Sequence, residues 1–358
     1  MEKKRNHLEH LGIARGFGIL SVVMAHTFVP EIRGGNPVLS ILFLFFSGTT
    51  MQLFMMLSGY LFERSYDKYR PQGSLRFCIG KVKTLVVPYL SMSVISYAGI
   101  ALAFMVPQLA NVLGSAGYAK VGLLEAIFQI TTFENHIVSH LWFLPTIFLI
   151  QIASFLAGRF FSRLPGLLVA AVLFIAAHYL AMPTLVYRVC TLHLFFCIGR
   201  RMAFLDALTQ KKWLVLVLPA CLLTFAVQQA GWLGWSIPLE VLMALVVGVA
   251  GAASYIAVSR IIAGTVAGRG VAWVGKNSFA IYLLHQPFIV SGVSGVLLMY
   301  APLPHLAICA ITLALGIALP YLADRYVISK AGLLRFMFRG EYKAKAKKGH
   351  AAGRDGVA

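Results

Sequence analysis

The chain has 358 residues, of which 59% are hydrophobic and only 12% are charged, and its formal net charge is +19. A soluble domain carries about 25% charged residues, so this composition excludes a soluble enzyme, a disordered chain and a secreted disulfide scaffold. The mean hydropathy of +0.81 indicates instead an all-α, polytopic integral membrane protein.

Ten segments of the chain are apolar over about the 20 residues that a helix needs to cross the hydrocarbon core of a bilayer. The longest connection between them, 107–140, contains a stretch at 121–133 that could form an amphipathic or re-entrant helix. The predicted spans lie near residues 12–30, 40–62, 84–106, 141–158, 166–182, 188–205, 213–230, 237–259, 279–300 and 304–322.

Lysine and arginine are distributed very unequally between alternate connections. One set holds 28 of the 31 basic residues and comprises both termini and the segments 63–83, 159–163, 200–212 and 260–276. The opposite set holds only Arg33, Lys120 and Arg188. By the positive-inside rule, both termini are predicted to be cytoplasmic, which requires an even number of spans. Membrane insertion therefore accounts for the positive charge, and no nucleic-acid partner is predicted.

Two units follow from this pattern. We expect a transmembrane domain over residues 1–325 and a basic cytoplasmic tail over 326–358, disordered at its end. The basic residues of the tail could contact anionic lipid.

Arg15 and His26 share one face of the first predicted span. They are eleven residues apart, which at about 100° per residue is about 20° past three full turns. A neutral imidazole can accept a hydroxyl proton or attack an activated acyl group, and an arginine can bind an anionic substrate. A snorkelling arginine and a helix-packing histidine explain the pattern equally well. Gly12 and Gly16 form a GxxxG pair that would allow another helix to approach closely.

Five segments stand in an order and spacing that are specific when they are taken together. They are ARGFGILSVVMAH (14–26), MQLFMMLSGYLF (51–62), KVKTLVVPY (81–89), SHLWFLPTIF (139–148) and NSFAIYLLHQPF (277–288). Together they resemble membrane-bound acyltransferase family 3, and the fourth is similar to the HLWFLP motif of its sugar O-acetylase branch. The similarity extends to about residue 325.

The resemblance implies an integral-membrane O-acyltransferase that moves an acyl group, expected to be acetyl, from acyl-CoA to a hydroxyl of a cell-envelope saccharide. Arg15 and His26 would then be the catalytic residues, and acyl-CoA would be a substrate rather than a permanently bound cofactor. No metal is expected. The resemblance also implies a multi-pass protein of the bacterial cytoplasmic (inner) membrane.

Basic residues of the first cytoplasmic connection could bind the phosphates of coenzyme A together with Arg15, or could serve only as topology determinants. These residues are Arg64, Arg76, Lys81 and Lys83.

Five further residues are candidates for binding or orienting the acceptor. Ser278, Tyr282 and His285 are spaced i, i+4 and i+7 and therefore share a helix face. His140 and Trp142 begin the fourth span on the outer side, where they could stack on a sugar or anchor the helix at the interface.

A transporter or flippase for a lipid-linked glycan or another polar solute has the same composition. The sequence lacks the inverted-repeat halves with broken helices that would favour transport. No oligomeric state is predicted.

Overall fold

The computed structural model describes residues 2–34, 36–201, 222, 225, 226 and 237–341, which form helices joined by turns, with no strand among them. Five helical segments of this part of the chain are long and apolar enough to cross a membrane. They are Pro37–Gln72, Ser74–Ala103, Ser139–Leu156, Ile237–Ile262 and His305–Ile328. The predicted all-α membrane fold is confirmed.

The helices before residue 202 are α1 (Glu2–Thr27), α2 (Pro30–Arg33), α3 (Pro37–Tyr69), α4 (Ser74–Lys81), α5 (Val87–Ala103), α6 (Pro107–Ser115), α7 (Leu123–Thr131), α8 (Phe143–Leu156), α9 (Leu164–Tyr179) and α10 (Thr184–Arg200). Those after residue 236 are α11 (Ile237–Ile262), α12 (Val266–Lys276), α13 (Ser278–Leu284), α14 (Val290–Tyr300), α15 (His305–Ala323) and α16 (Gly332–Arg339). Two π-helical segments, Val82–Val86 and Asp324–Ile328, join α4 to α5 and extend α15.

One predicted span is wrong as drawn. Residues 279–300 are not a single helix but two, α13 and α14, separated at Gln286 and Pro287. Proline lacks an N–H and its ring clashes with the preceding helical turn, so the helix ends before it. The helix predicted within 121–133 is confirmed as α7, whereas the predicted span 213–230 lies outside the described residues except for isolated positions.

The GxxxG pair of α1 forms the contact with α12. A Cβ atom added to Gly275 would lie 1.9 Å from the carbonyl oxygen of Gly12, and one added to Gly16 would lie 2.1 Å from that of Val271. Only glycine permits backbones to come this close. The predicted helix–helix approach is therefore confirmed, and it places α1 in the interior of the bundle.

Helix α3 packs against α1, α10 and α11. Its contact with α10 also depends on glycine, because a Cβ on Gly59 would lie 2.0 Å from the carbonyl oxygen of Phe196. The end of α10 is held by Arg200, whose fully buried side chain forms a 2.7 Å ion pair with Glu63 of α3. Arg200 also donates to the carbonyl oxygen of Gly158.

Connections that the charge distribution assigns to the same side of the membrane also lie together in the fold. Asp67 and Arg159, from two predicted cytoplasmic connections, form a 2.7 Å ion pair. Glu9 near the start of α1 accepts a hydrogen bond from the backbone N–H of Gly264. On the opposite side, Glu134 accepts a hydrogen bond from the N–H of Leu185. The sidedness derived from lysine and arginine therefore agrees with the packing.

The segment predicted as the tail begins with helical structure. Helix α16 packs against α5 and buries Phe338 in the core. Arg339 of α16 forms an ion pair with Asp324, which joins the segment to the end of α15. Residues 342–358 lie outside the described residues.

Candidate active site

Three histidines from distant parts of the sequence meet near the outer ends of the helices. His26 lies at the end of α1, His140 in the turn Ser139–Trp142 before α8, and His285 directly after α13. The ring centroid of His285 is 5.2 Å from that of His26 and 5.1 Å from that of His140. The fold therefore brings His285 close to both of the other imidazoles.

Hydrogen bonds determine the tautomer of His285. Its Nδ1 lies 3.0 Å from the carbonyl oxygen of Ile281 and 2.8 Å from that of Tyr282. Because carbonyl oxygens only accept, Nδ1 carries the proton and Nε2 keeps its lone pair. This Nε2 is buried and has no hydrogen-bond partner among the described residues, and the same holds for Nε2 of His140. Buried polar atoms are normally paired, so two orphaned imidazole nitrogens at one place indicate a site for a ligand.

Tyr282 positions the second histidine. Its hydroxyl donates a 2.6 Å hydrogen bond to the backbone carbonyl oxygen of His140, and its ring lies edge-on to the His140 ring. Tyr282 is buried, and α13 is therefore attached directly to the turn before α8.

Two cavities meet at the histidines. One, of about 340 Å³, is lined by His26, His140, Trp142, Arg188 and Tyr282 among others. The second, of about 230 Å³, shares His26 and His140 with the first and adds the polar residues Arg33, Tyr118, His136, Gln286 and Ser291. Together they form the outer cleft. Its lining includes residues from connections that the charge distribution assigns to the extracytoplasmic side.

A third cavity, of about 740 Å³, lies at the opposite, predicted cytoplasmic end. Its basic lining residues are Lys276, Arg335 and Arg339. Leu283 and Leu284 of α13 also line it, while Tyr282 of the same helix lines the outer cleft. The short helix α13 therefore separates the two cavities.

Comparison with known proteins identifies the chemistry to which this fold belongs. A family model described as an acyltransferase domain matches residues 9–323. The chain belongs to acyltransferase family 3. No curated protein and no solved structure matches the chain in the corresponding comparisons. The protein is thus a membrane acyltransferase, and the family match favours transfer over the transport alternative.

In the folded acyltransferase, Arg15 does not lie in the outer cleft. Arg15 is half-buried on α1, three turns from His26, and it lines neither the outer cleft nor the cytoplasmic cavity. The two residues lie on one helix as predicted, but they share none of the three cavities formed by the described residues. The catalytic role of Arg15 stays a prediction.

The four basic residues predicted to bind the donor also lie outside the cytoplasmic cavity. Arg64 donates to the hydroxyl of Tyr60, and the Lys81 ammonium lies over the rings of Tyr69 and Phe77. Arg76 and Lys83 are exposed. Lys83 directly precedes Thr84 and Leu85, which line this cavity, so Lys83 borders the cavity without lining it.

The five predicted acceptor residues divide into two groups. His140, Trp142 and Tyr282 line the outer cleft, and His285 is buried immediately behind them. Ser278 is buried at the start of α13 and lines none of the three cavities.

Sequence reasoning missed polar residues of the outer cleft, including Arg33, Tyr118, His136, Arg188, Gln286 and Ser291. The sequence pattern identifies Arg33 and Arg188 only as markers of topology, and Gln286 only as part of a motif. The available signal was that the outer connections contain so few basic residues. Among the described residues no group of three His, Cys, Asp or Glu side chains is arranged to hold a metal ion.

Proposed function

We propose that this acyltransferase resides in the bacterial cytoplasmic membrane and moves an acetyl group from acetyl-CoA to a hydroxyl of a cell-envelope saccharide. The observation that carries the proposal is the position of His26 at the junction of the two outer cavities, with His140 and His285 beside it. An imidazole in this place can meet an acceptor hydroxyl from the outer side.

In the direct route, His26 acts as a general base. The acceptor oxygen attacks the thioester carbonyl carbon, its proton passes to the imidazole, a C–O bond forms and the C–S bond breaks. The proton then passes to the departing thiolate, so the products are a sugar ester and free coenzyme A.

In the covalent route, His26 acts first as a nucleophile. Its ring nitrogen displaces coenzyme A as the thiol and carries the acyl group as an acyl-imidazole. The acceptor oxygen then attacks that acyl carbon, the C–N bond to His26 breaks, and the hydroxyl proton ends on the freed imidazole. In the direct route the hydroxyl donates its single proton to His26, whereas in the covalent route the unpaired Nε2 of His285, whose ring lies 5.2 Å from that of His26, can accept it first.

The donor is proposed to bind from the cytoplasmic side. The 740 Å³ cavity is larger than either outer cavity and is lined by Lys276, which can pair with a phosphate of coenzyme A. Arg15, Arg64, Arg76, Lys81 and Lys83 are proposed as further donor contacts along the same end of the bundle. The acyl group would pass α13, which has one cavity on each side.

The decisive experiment is acyl transfer by the His26→Ala variant in purified, folded protein. We expect the rate of ester formation and of coenzyme A release to fall by about 10²–10⁴-fold, the usual contribution of a general acid–base group. The matched control is His178→Ala, because Nδ1 of His178 donates to the backbone carbonyl oxygen of Phe174 in its own helix and His178 lines none of the three cavities.

Full transfer by folded His26→Ala protein would remove this histidine from the chemistry. The two routes are separated by incubating the wild type with acetyl-CoA without acceptor. A mass increase of one acetyl group on His26 indicates the covalent route, whereas unmodified His26 in active protein indicates direct transfer.

A further inference from the structure

The outer side of this protein carries very few basic residues, and two of the three lie at one place. The extracytoplasmic connections contain only Arg33, Lys120 and Arg188. Arg33 lines one cavity of the outer cleft and Arg188 lines the other, whereas Lys120 is exposed and lines neither. The positive-inside rule disfavours basic residues on this side. Their convergence on the histidines therefore requires a reason other than topology.

Each of the two guanidinium groups lies over an aromatic ring that also lines the cleft. Arg33 is 4.0 Å from the ring centroid of Phe43, and Arg188 is 4.7 Å from that of Trp142. Such stacking restrains a guanidinium while its N–H groups remain available at the ring edge. Both arginines are only half-exposed, so the walls of the cleft restrain the orientation of these N–H donors, which would otherwise be free in solvent.

Neither guanidinium forms an ion pair within the described residues, and the lining of the outer cleft contains no aspartate or glutamate. The acidic side chain that interacts electrostatically with Arg188 is Glu134, which lies beyond ion-pair distance and accepts a hydrogen bond from Leu185. Two cations in a cleft without a lining carboxylate attract an anion.

The remaining polar lining is suited to sugar hydroxyls. The carbonyl oxygen of Gln286 accepts hydrogen bonds from the hydroxyls of Tyr118 at 3.1 Å and Ser291 at 2.7 Å. This leaves the amide NH₂ of Gln286 as the donor for a ligand. The cleft thus combines donors for neutral oxygens with two cations for charged ones.

We propose that the acceptor is an anionic saccharide, bearing a carboxylate or a phosphate that Arg33 and Arg188 bind on either side of His26. This inference rests on the proposed function and narrows its substrate class. Planar guanidinium groups match both anions with two parallel hydrogen bonds. Bound in this way, the saccharide presents a neighbouring hydroxyl to His26.

The test compares envelope glycans from cells with and without the protein, separated into neutral and anionic fractions by anion exchange. The ester is expected in the anionic fraction and is expected to disappear when the protein is absent. Uronic acid and phosphate analysis of that fraction then identifies the carboxylate or the phosphate as the recognised group.

Variants assign the recognition to the cleft. Arg33→Gln and Arg188→Gln are each expected to lower the ester content about tenfold or more, since a hydrogen bond to a charged group contributes about 1.5–3 kcal/mol. Lys120→Gln removes the third outer cation and is expected to leave the ester content unchanged. Arg33→Lys and Arg188→Lys keep the charge and are expected to retain part of the activity at equal membrane abundance.

An ester confined to the neutral fraction would overturn the inference while leaving the proposed function intact. An equal loss in Lys120→Gln would also overturn it, because general outer charge rather than the cleft would then be responsible. Absence of any protein-dependent ester on a saccharide would instead contradict the proposed function itself.

Discussion

A 2.6 Å hydrogen bond joins the hydroxyl of Tyr282 to the backbone carbonyl oxygen of His140, and the two residues are 142 positions apart in the sequence. The bond connects α13 to the turn that begins α8. It also determines how the His140 ring stands beside that of His285, whose centroid is 5.1 Å away. The alignment of the histidines therefore depends on a residue that need not touch the reacting atoms.

Tyr282→Phe removes this bond while keeping the ring. We expect a loss of about 1–3 kcal/mol in the free energy of unfolding, because the buried His140 carbonyl loses its partner, and a larger loss of acyl transfer than of stability. Thermal unfolding in detergent and the kcat for ester formation measure the two effects. Tyr300→Phe is the control, since Tyr300 is 63% exposed at the end of α14. An unchanged kcat in Tyr282→Phe would contradict the positioning role.

Substitution can separate the roles of the two ring nitrogens of His285. Asparagine places an amide near the Nδ1 position and can keep the bonds to the carbonyl oxygens of Ile281 and Tyr282, whereas glutamine reaches the Nε2 position. We expect His285→Asn to unfold at nearly the wild-type temperature but to lose transfer about 10²-fold or more, as for a missing proton-transfer partner. His285→Gln should retain more activity. The opposite ranking of the two variants would show that His285 acts through its backbone bonds alone.

Two glycines of α12 provide a test of its close contact with α1, because only one of them lies at that contact. Gly275→Ala would place a Cβ 1.9 Å from the Gly12 carbonyl oxygen, and we expect it to lower stability by about 1–3 kcal/mol through overpacking. Gly270→Ala on the same helix meets no atom within 4 Å. It should be neutral or raise stability by up to about 1 kcal/mol, because glycine is a poor helix former. Equal unfolding temperatures of the two variants would refute the contact.

Two ion pairs at the cytoplasmic end differ in burial and should therefore differ in importance. The Arg200 side chain is fully buried and that of Glu63 is 15% exposed, so Arg200→Gln leaves a carboxylate unpaired in the core and should cost about 3–5 kcal/mol. Arg159 and Asp67 are 47% and 75% exposed, and Arg159→Gln should cost less than about 1 kcal/mol. The difference is measured by thermal unfolding of both variants. Raised salt is expected to change only the exposed pair.

Much of the site could be predicted residue by residue but not as an arrangement. His26, His140, Tyr282 and His285 were candidates because polar groups are rare in apolar helices. Periodicity relates residues on one helix, and it correctly related Tyr282 to His285. It also related Arg15 to His26 on α1, but Arg15 does not line the two cavities that His26 lines, so a shared catalytic role stays a prediction.

The amino-acid sequence alone determined that the chain spans a membrane and which connections lie on the same side, since both depend on counts of apolar and basic residues along the chain. Tertiary structure decided what those counts do not contain. Packing of α1, α8 and α13 brought three imidazoles together, Pro287 divided a span in two, and Arg33 and Arg188 became neighbours of His26. These are contacts between distant segments, and they are set by which helices can approach each other closely, as Gly12 and Gly275 do.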